Sequence, residues 1–526
     1  MSAPASTPRW IPWAAALLLL LAALVPRARD LGGPWDRSFE GFQGAFFAQA
    51  AVNYERGGLA LFDGYPVLNV ELDPLTPSTW YTYENHPPTV AWLAWLGFRA
   101  AGGDASTPPS RGREWGVRLP FLALHMATLL VLWLALREAV GLLESCCALA
   151  LLAACPLSAL YGTLVNYETP TGLAVALAAL FHVRWLRRGA RRDLFGIGAA
   201  FALGGAFTYA PLFFAPPFAL QAWRRRGGRA ALAELAVAGG ACLLPLLAHG
   251  ALASHALESI GRSAAPLQAR ALLLWGPLLD GSIAPWDWLL HQLSSGARLY
   301  SWPLALCAAL GLCGELIFGR RDAQHPIAQA RIALGPVLLA GGLLANFAFY
   351  RHSAEEQWTF LLNPVLGLTA CAAALIRALG RPFERGRLPH APYVALCGVV
   401  VLPALAQLEW LRHEWRGTDR PLPDAIGREL GELLPAGSVL HYPPELGFTP
   451  AVGYYAWRTQ VPWTSELEPL VRPQLARVGL AAAERYYVLP RRGEAELEPA
   501  LAPLRTARLA ERAPDRSSAN WLAWKL

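Results

Sequence analysis

Residues 119–136, with the sequence LPFLALHMATLLVLWLAL, contain no Asp, Glu, Lys or Arg. A helix needs about 20 mostly apolar residues to cross the hydrocarbon core of a bilayer. The stretch therefore predicts a membrane-spanning helix. Comparable charge-free blocks recur at 10–26, 145–167, 194–223, 235–257, 332–350, 357–376 and 391–408, with weaker ones at 87–98, 169–183 and 299–314.

The composition of the chain also points to lipid as its solvent. Of 526 residues, 54% are apolar and 16% are charged, whereas a soluble domain carries about a quarter charged residues. Block 194–223 is long enough to form a hairpin, so we expect about 11 to 13 spans. Block 10–26 is followed by further spans and by no small-residue cleavage site, which indicates a retained first helix. The predicted fold class is an all-α polytopic membrane protein.

The placement of charge predicts orientation. The net charge is +7, and Lys525 is the only lysine. Two arginine clusters, within 187–192 and 224–229, flank block 194–223, and the positive-inside rule places such clusters in the cytoplasm. We favour this interpretation over nucleic-acid binding. If both clusters are cytoplasmic, the block enters and leaves through one face and turns near residues 208–211.

Two polar regions lie outside the predicted spans. Loop 27–86 holds few basic residues, which predicts an external face. Within it, Glu40 to Arg56 shows apolar residues at helical spacing, which predicts a helix in the membrane interface. The tail, 412–526, predicts a small α/β domain outside the membrane after a transmembrane body of residues 1–411. Its segments 438–442 and 485–489 have strand patterns, and 422–434 has the pattern of an amphipathic helix.

The cysteines give no sign of a metal centre. All eight lie in apolar blocks, and no pair has metal-ligand spacing with a histidine nearby. We interpret them as buried free thiols and predict neither a metal site nor a cofactor.

Four polar clusters at the edges of the blocks are candidates for chemistry. They contain Glu40, with Asp36 nearby; Glu84 and His86, in Tyr83–Pro88; Glu168, in Asn166–Pro170; and Arg351 and His352, in Arg351–Trp358. Each cluster also has a simpler interpretation. Glu40 suits the N-terminus of a helix because the helix dipole favours a negative charge there. His86 precedes prolines that open a span, Glu168 suits a solvated loop, and Arg351 suits a charged turn.

Taken in order, these features resemble the GT-C superfamily of membrane glycosyltransferases. More narrowly, they resemble the bacterial polyprenyl-phosphate-dependent enzymes related to protein O-mannosyltransferases and to the lipid A aminoarabinose transferase. The resemblance covers most of residues 10–378. It is carried by Phe39-Glu40-Gly41-Phe42, His86-Pro87-Pro88, Arg118-Leu119-Pro120, Pro156 to Glu168, and Arg351 to Pro364.

The resemblance implies a hexosyl or pentosyl transferase with a polyprenyl-phosphate sugar donor and a lipid, glycan or protein acceptor of the cell envelope. It implies an active site on the periplasmic side of a bacterial inner membrane. It further implies that Glu40 is the base or the acceptor-orienting carboxylate, with Asp36 as the reserve candidate. Glu84 and His86 would shape the site, and Glu168 corresponds to the family's second acidic position.

The donor phosphate would be contacted by Arg351 and His352. Relatives often carry a Thr-Lys-Gly stretch in the membrane hairpin, and its lysine can meet the phosphate. Here the corresponding stretch is Thr208-Tyr209-Ala210, so Tyr209 stands at the lysine position. A second departure is Phe39, which stands where the family commonly has Asp. The resemblance predicts that the four clusters converge on one external rim.

Three alternatives remain on the sequence alone. A transporter or lipid flippase would place ionisable groups near the bilayer midplane. The central parts of the strong blocks are nearly bare of charge, with His125, His249 and, near a block edge, Glu234 as exceptions. A non-catalytic relative would bind a lipid-linked sugar without turnover. An oligosaccharide ligase would use a polyprenyl diphosphate donor.

Overall fold

The structure, a computed structural model, describes residues 10–29, 31–35, 39–59, 64–71, 79–82, 85–104, 113–259, 274–318, 331–355, 361–383, 390–416, 423–442, 450–462, 468–477, 482–490, 513–518 and 521–526. Asp36 and Glu84 lie outside the described residues.

Most of the described chain is helical. The helices are α1 (Ile11–Ala28), α2 (Phe39–Gly57), α3 (Thr89–Ala100), α4 (Glu114–Val140), α5 (Leu142–Ala154), α6 (Pro156–Leu160), α7 (Glu168–Arg188), α8 (Arg191–Gly205), α9 (Ala215–Arg226), α10 (Gly228–Ser259), α11 (Pro285–Tyr300), α12 (Trp302–Phe318), α13 (Leu334–Ala348), α14 (Tyr350–Glu355), α15 (Leu362–Gly380), α16 (Ala391–Arg416), α17 (Pro423–Leu433), α18 (Pro450–Ala456) and α19 (Glu468–Arg477). The strands are β1 (Val67–Glu71), β2 (Thr79–Thr82), β3 (Val439–Tyr442), β4 (Thr459–Pro462), β5 (Arg485–Pro490), β6 (Arg516–Ser517) and β7 (Trp521–Lys525).

Among the described residues, six helices are long and apolar enough to cross a membrane: α1, α4, α7, α10, α15 and α16. The count rises to seven if α5 and α6, which meet at a bend of 66°, form one broken span. The multi-pass membrane fold is confirmed. The predicted number of 11 to 13 spans is higher than this count.

The difference arises because several apolar blocks fold as shorter pieces. Block 145–167 bends at Cys155, whose backbone is extended (ψ 121°) before Pro156, as a residue before proline prefers. Block 194–223 divides into α8, a 3-10 turn (Ala210–Phe214) and α9. Block 332–350 forms α13, whose 15 residues extend about 22 Å, short of a hydrocarbon core of about 30 Å.

The chain divides into two compact units. Unit one comprises Met1–Asp30, Phe121–His249 and Ala265–Glu414, and unit two comprises Leu31–Pro120, Gly250–Ala264 and Trp415–Leu526. The division at residues 411 and 412 that the sequence suggests stays a prediction.

In unit one, the predicted hairpin is present. Arg226, the last residue of α9, donates a hydrogen bond of 2.7 Å to the carbonyl oxygen of Trp185 near the end of α7. Its guanidinium also stacks over the Trp185 ring, 4.3 Å from the centroid. Helix α8 begins at Arg191, shortly after α7 ends. The start of α8 and the end of α9 therefore both lie next to the end of α7. We call this the Arg-rich end of unit one; it carries Arg187, Arg188, Arg224, Arg225 and Arg226.

In unit two, the tail forms a mixed five-stranded sheet in the order β4-β3-β5-β7-β6. Strands β4 and β5 flank β3 in parallel, whereas β7 pairs antiparallel with β5 and β6. The amphipathic helix α17 packs Leu430 and the adjoining Leu434 against Leu440, Tyr486 and Val488 of the sheet. The small α/β fold of the tail, its two predicted strands and its amphipathic helix are confirmed.

Helix α2 is also confirmed, with more burial than its sequence pattern predicts. All residues from Gly44 to Val52 are buried, so the helix is covered on more than one face. It packs against α3 and against α18 of the tail. Because α2 is packed in this way, its backbone holds the side chains of its first turn, where Glu40 lies, in defined positions.

Candidate active site

Glu40 forms an ion pair with Arg118, which lies in the early turns of α4. Arg118 Nε donates to Glu40 Oε1 at 2.9 Å, and a terminal nitrogen of Arg118 donates to Glu40 Oε2 at 3.2 Å. The Arg118 side chain is 3% exposed and that of Glu40 is 15% exposed. Two parallel bonds of this kind fix the plane and the rotamer of the carboxylate. Arg118 therefore fixes the Glu40 carboxylate, while part of the Glu40 side chain stays exposed.

The remaining donors of Arg118 are used by the chain just before α2. One terminal nitrogen donates to the carbonyl oxygens of Leu31, at 3.2 Å, and of Gly33. The guanidinium lies flat over the indole of Trp35, 3.9 Å from the ring centroid. A buried cation is costly unless it is paired and hydrogen-bonded, and here every part of the group has a partner. The cluster therefore ties residues 31–35 to the position of Glu40.

Trp35 is fitted closely against α2. A Cβ atom at Gly44 would lie 2.0 Å from a ring carbon of Trp35, so only glycine leaves room for the indole. The backbone N–H of Trp35 donates to the Tyr455 hydroxyl at 2.7 Å. That hydroxyl in turn donates to Glu114 Oε1 at 2.7 Å. A tail residue thus takes part in the same cluster as Glu40.

His86 lies in unit two, partly buried, directly before the two prolines that lead into α3. Helix α3 is held to α2 by polar contacts of Trp95 and Arg99. Trp95 Nε1 donates to Glu55 Oε1 at 2.5 Å, and Arg99 forms an ion pair of 3.2 Å with the same carboxylate. His86 therefore precedes a helix that is anchored to the helix carrying Glu40.

Glu168 lies in unit one, at the first turn of α7. Two threonine side chains of α7 donate to the backbone of the loop before it. Thr169 Oγ1 donates to the carbonyl oxygen of Leu164 at 3.0 Å, and Thr171 Oγ1 donates to that of Tyr167 at 2.7 Å. Helix α7 has 21 residues and so is about 31 Å long. Glu168 is therefore at the opposite end of α7 from the Arg-rich end.

Tyr209, Arg351 and His352 lie at this same end of unit one. Tyr209 stands at the tip of the α8–α9 hairpin, just before the 3-10 turn that contains Phe213. The Phe213 ring contacts that of Phe349, with centroids 6.0 Å apart, and Phe349 directly precedes α14, which carries Arg351 and His352. The structure therefore brings these three residues to the end of unit one that Glu168 also occupies.

A buried polar network holds α14. The Ser353 hydroxyl accepts from Trp288 Nε1 at 2.8 Å and donates to the carbonyl oxygen of Asn346 at 2.8 Å. The Ser353 carbonyl accepts from Gln292 Nε2 at 2.7 Å. Asn346 also donates to Gln292 and accepts from Asn363. Side chains from four helices thus fix the residue next to His352.

The candidate residues fall into two groups, one in each unit. Unit two holds Glu40 and His86, and unit one holds Glu168, Tyr209, Arg351 and His352. The convergence of all of them on one rim stays a prediction, as do their roles.

Reasoning from the sequence missed three residues of the Glu40 cluster: Arg118, Trp35 and Tyr455. Arg118 was noted only as a motif residue. One available signal was its position at the start of an apolar helix, where a cation is disfavoured by the dipole and by the membrane. Such a residue requires a carboxylate partner, and the preceding loop, residues 27–86, offers few acidic residues on predicted helices.

Comparisons with known proteins agree with this architecture. Residues 85–249 match the family model described as dolichyl-phosphate-mannose-protein mannosyltransferase. The fold is similar to that of ArnT from Cupriavidus metallidurans bound to undecaprenyl phosphate, with a TM-score of 0.58 and 13% identity over 93% of this chain and 94% of that one. For the same protein in its apo state, the TM-score is 0.54 with 12% identity, and 97% of each chain is covered. No curated protein matches the sequence.

Part of the chain, residues 85–249, therefore matches the mannosyltransferase family model. The fold of the chain is that of a multi-pass membrane protein similar to ArnT along nearly its whole length. These findings confirm the resemblance that the sequence motifs indicate.

Proposed function

We propose that this protein transfers a sugar from a polyprenyl-phosphate donor to a lipid, glycan or protein of the cell envelope. The matched family model is named for enzymes whose donor is a dolichyl-phosphate sugar, and the similar ArnT structure contains undecaprenyl phosphate. Both lipids are polyprenyl phosphates. The donor class is therefore the chemical feature that the two relatives share.

The observation that carries the proposal is the ion pair between Glu40 and Arg118. Arg118 donates to both oxygens of Glu40, and the Glu40 side chain is 15% exposed. An acceptor hydroxyl would donate to the carboxylate at this exposed part. A neighbouring cation also favours the ionised form of a carboxylate. Arg118 therefore keeps Glu40 ready to accept a hydrogen bond.

In the proposed step, the acceptor hydroxyl oxygen attacks the anomeric carbon. The bond from that carbon to the phosphate oxygen breaks, and its electron pair leaves with the phosphate. The transition state has oxocarbenium character. The departing phosphate is a stabilised anion, so a strong general acid is not required. Glu40 orients the hydroxyl and takes its proton, a contribution of about 10²–10⁴-fold for general-base catalysis.

Arg351 and His352 would bind the donor phosphate. Their support comes from position: both lie at the end of unit one that also carries Tyr209 and Glu168. A guanidinium can hold a phosphate by two hydrogen bonds and can stabilise the charge that develops as the phosphate leaves. Ser353 and its buried partners would keep the two residues in place.

The active site would face the periplasm. Support for this orientation comes from unit one, where Glu168 and the Arg-rich end lie at opposite ends of α7. The positive-inside rule assigns the Arg-rich end to the cytoplasm. The end with Glu168, Tyr209, Arg351 and His352 is then external, where lipid-linked sugars meet cell-envelope acceptors.

The experiment compares Glu40→Gln with Glu55→Gln. Both carboxylates lie on α2, each is paired with an arginine, and their side chains are 15% and 16% exposed. Membranes with equal amounts of each variant are supplied with lipid-linked sugars extracted from a strain that lacks the gene. We expect Glu40→Gln to lose transfer by about 10²–10⁴-fold and Glu55→Gln to retain it. Normal transfer by Glu40→Gln removes Glu40 from the mechanism.

The same assay separates the alternatives. A flippase would move the intact lipid-linked sugar across the membrane without cleaving it. The feature that favours this rival is the fully buried pair of His182 and Glu234, with Nδ1 and Oε1 2.5 Å apart. A non-catalytic relative would bind undecaprenyl phosphate but release no sugar from the donor. An oligosaccharide ligase would consume a diphosphate-linked donor instead.

A further inference from the structure

The tail is hydrogen-bonded to the Glu40 cluster through the hydroxyl of Tyr455. Tyr455 lies on α18, between β3 and β4 of the tail, and is buried. Its hydroxyl accepts from the Trp35 backbone N–H and donates to Glu114 Oε1, both at 2.7 Å. These two bonds join residues that are 420 and 341 positions from Tyr455 in the chain.

The chain of contacts continues to Glu40. Trp35 lies beneath the guanidinium of Arg118, and Arg118 holds both oxygens of Glu40. Any displacement of Trp35 therefore changes the support of Arg118. The fit of the indole against Gly44 leaves no room for the ring to shift toward α2, and the bond to Tyr455 holds the backbone N–H of the same residue.

The Tyr455 hydroxyl stays protonated, and its ring is anchored within the tail. Burial, with Glu114 beside it, raises the pKa of Tyr455 well above its ordinary value. The hydroxyl therefore keeps its proton at any physiological pH and remains a donor to Glu114. Arg428 of α17 lies over the Tyr455 ring, 5.1 Å from its centroid, and anchors the ring within the tail.

We infer that Tyr455 is a positioning residue. Through Trp35 and Arg118, this tail residue fixes the orientation of the Glu40 carboxylate, which faces the acceptor. The inference rests on the proposed function, because it assigns the tail a part in the same reaction. The tail is then a component of the active site in addition to being a fold of its own.

The adjacent residue provides a matched control. Tyr454 is also fully buried, and its ring contacts Trp35 edge to face, with centroids 6.5 Å apart. Within the described residues, however, its hydroxyl has no hydrogen-bond partner. Tyr454→Phe and Tyr455→Phe thus remove the same atom from neighbouring positions, and only the second removes bonds to Trp35 and Glu114.

The first measurement does not depend on activity. Hydrogen–deuterium exchange of the full-length protein in detergent is followed in the peptide that contains Trp35. In Tyr455→Phe the Trp35 amide loses its acceptor, so its exchange should rise about tenfold, as expected for the loss of one hydrogen bond. In Tyr454→Phe its exchange should stay at the wild-type rate. Equal exchange in the two variants overturns the inference.

The second measurement is the kinetics of transfer with the extracted lipid-linked sugars. We expect Tyr455→Phe to lower kcat about tenfold with an unchanged KM for the donor, since misplacement of a reacting group is costly even when binding is intact. Faster exchange at Trp35 with wild-type kcat overturns the positioning role. If Glu40→Gln is inactive and the two tyrosine variants behave alike, the inference fails while the proposed function stands.

A second variant covers the case in which Tyr455→Phe does not fold. Trp35→Phe keeps the backbone bond to Tyr455 but replaces the indole under Arg118 with a smaller ring. The same loss of kcat with an unchanged donor KM is expected. A wild-type kcat in this variant shows that support of Arg118 does not reach Glu40 and overturns the inference.

Discussion

Arg118 and Glu40 are joined by two hydrogen bonds although 78 residues separate them in the chain. Arg118 is buried, and its other terminal nitrogen donates to the backbone carbonyl oxygens of Leu31 and Gly33. The pair is therefore both an anchor for the segment before α2 and the support of the proposed acceptor-binding carboxylate.

Replacing Arg118 by lysine should impair transfer and stability together. Lysine keeps the charge but lacks the planar fork, so one carboxylate oxygen and a backbone carbonyl lose their donors. We expect transfer to fall by at least about tenfold and stability by about 1–3 kcal/mol, measured by transfer assay and thermal unfolding in detergent. Arg99→Lys is the control, because Arg99 pairs with Glu55 from a side chain that is 58% exposed. Similar losses in both variants would contradict a special role for Arg118.

Replacing Ser353 by alanine should weaken donor binding. The change removes the hydroxyl at the centre of the buried network and leaves the Trp288 N–H without its acceptor. We expect a loss of stability of about 1–3 kcal/mol and a higher KM for the lipid-linked donor, since Arg351 and His352 adjoin Ser353. Ser254→Ala serves as control, because that hydroxyl is exposed and bonds only within its own helix. An unchanged KM would separate the network from donor binding.

Replacing Arg27 by methionine should destabilise the bent pair α5–α6. Arg27 is fully buried and donates to the carbonyl oxygens of Leu152 and Ala153 and to Ser158 Oγ. These carbonyls belong to the last turn of α5, which lacks intrahelical partners and carries the negative end of the helix dipole.

We expect Arg27→Met to lower the free energy of unfolding by about 2–4 kcal/mol, in the range for a lost buried network. Arg29→Met should change it by no more than about 1 kcal/mol, because Arg29 forms an exposed pair with Glu409. Thermal unfolding of the two variants in the same detergent measures the difference. Equal melting temperatures would show that the bend holds without Arg27.

Acidification should weaken the tail through His441. Burial, with Arg485 nearby, lowers the pKa of His441 well below its ordinary value; Nε2 accepts a hydrogen bond from Arg485 Nε at 3.0 Å, and Arg485 is paired with Glu468. The unfolded chain binds a proton at this residue near pH 6.5 and the folded tail does not. The free energy of unfolding of the tail therefore keeps its full value above about pH 6.5. It decreases as the pH is lowered below about 6.5, by up to about 1.4 kcal/mol per pH unit.

The measurement is thermal unfolding between pH 7.5 and pH 5 for the wild type and for His441→Gln. The variant should lose part of the pH dependence because its side chain does not titrate. His413→Gln, an exposed position on α16, should keep the wild-type slope. Parallel curves for all three proteins would exclude His441 as a source of the dependence.

Local patterns in the sequence predicted most of the elements. Helix α2, the α8–α9 hairpin, helix α17 and strands β3 and β5 follow from residue spacing, because burial on one side imposes a period that the sequence repeats. Among the described residues, fewer helices are long and apolar enough to cross a membrane than there are apolar blocks, because hydropathy records apolar blocks without the breaks inside them. Pro156 and the turn at residues 206–209 divide blocks that are continuous in composition.

The site was predictable only in part, for a physical reason. Glu40, Glu168 and Arg351 stand in short motifs, so local sequence indicates them. The contacts of Arg118 and Tyr455 within the Glu40 cluster have no such local sign, because they are tertiary contacts across long separations in the chain. A tyrosine in a tail helix carries no local sign that its hydroxyl bonds to the backbone of Trp35.

The position of β7 in the tail sheet has a consequence for the order of assembly. This strand, residues 521–525, lies inside the sheet between β5 and β6. Ribosomal synthesis passes the six long apolar helices described above before it reaches residue 521, so the tail sheet acquires this interior strand after them. A messenger truncated before codon 521 would yield a protein that contains these helices but whose sheet lacks an interior strand. Newly made copies would thus complete the tail domain, which carries Tyr455, only after residues 521–525 have been translated and have joined the sheet.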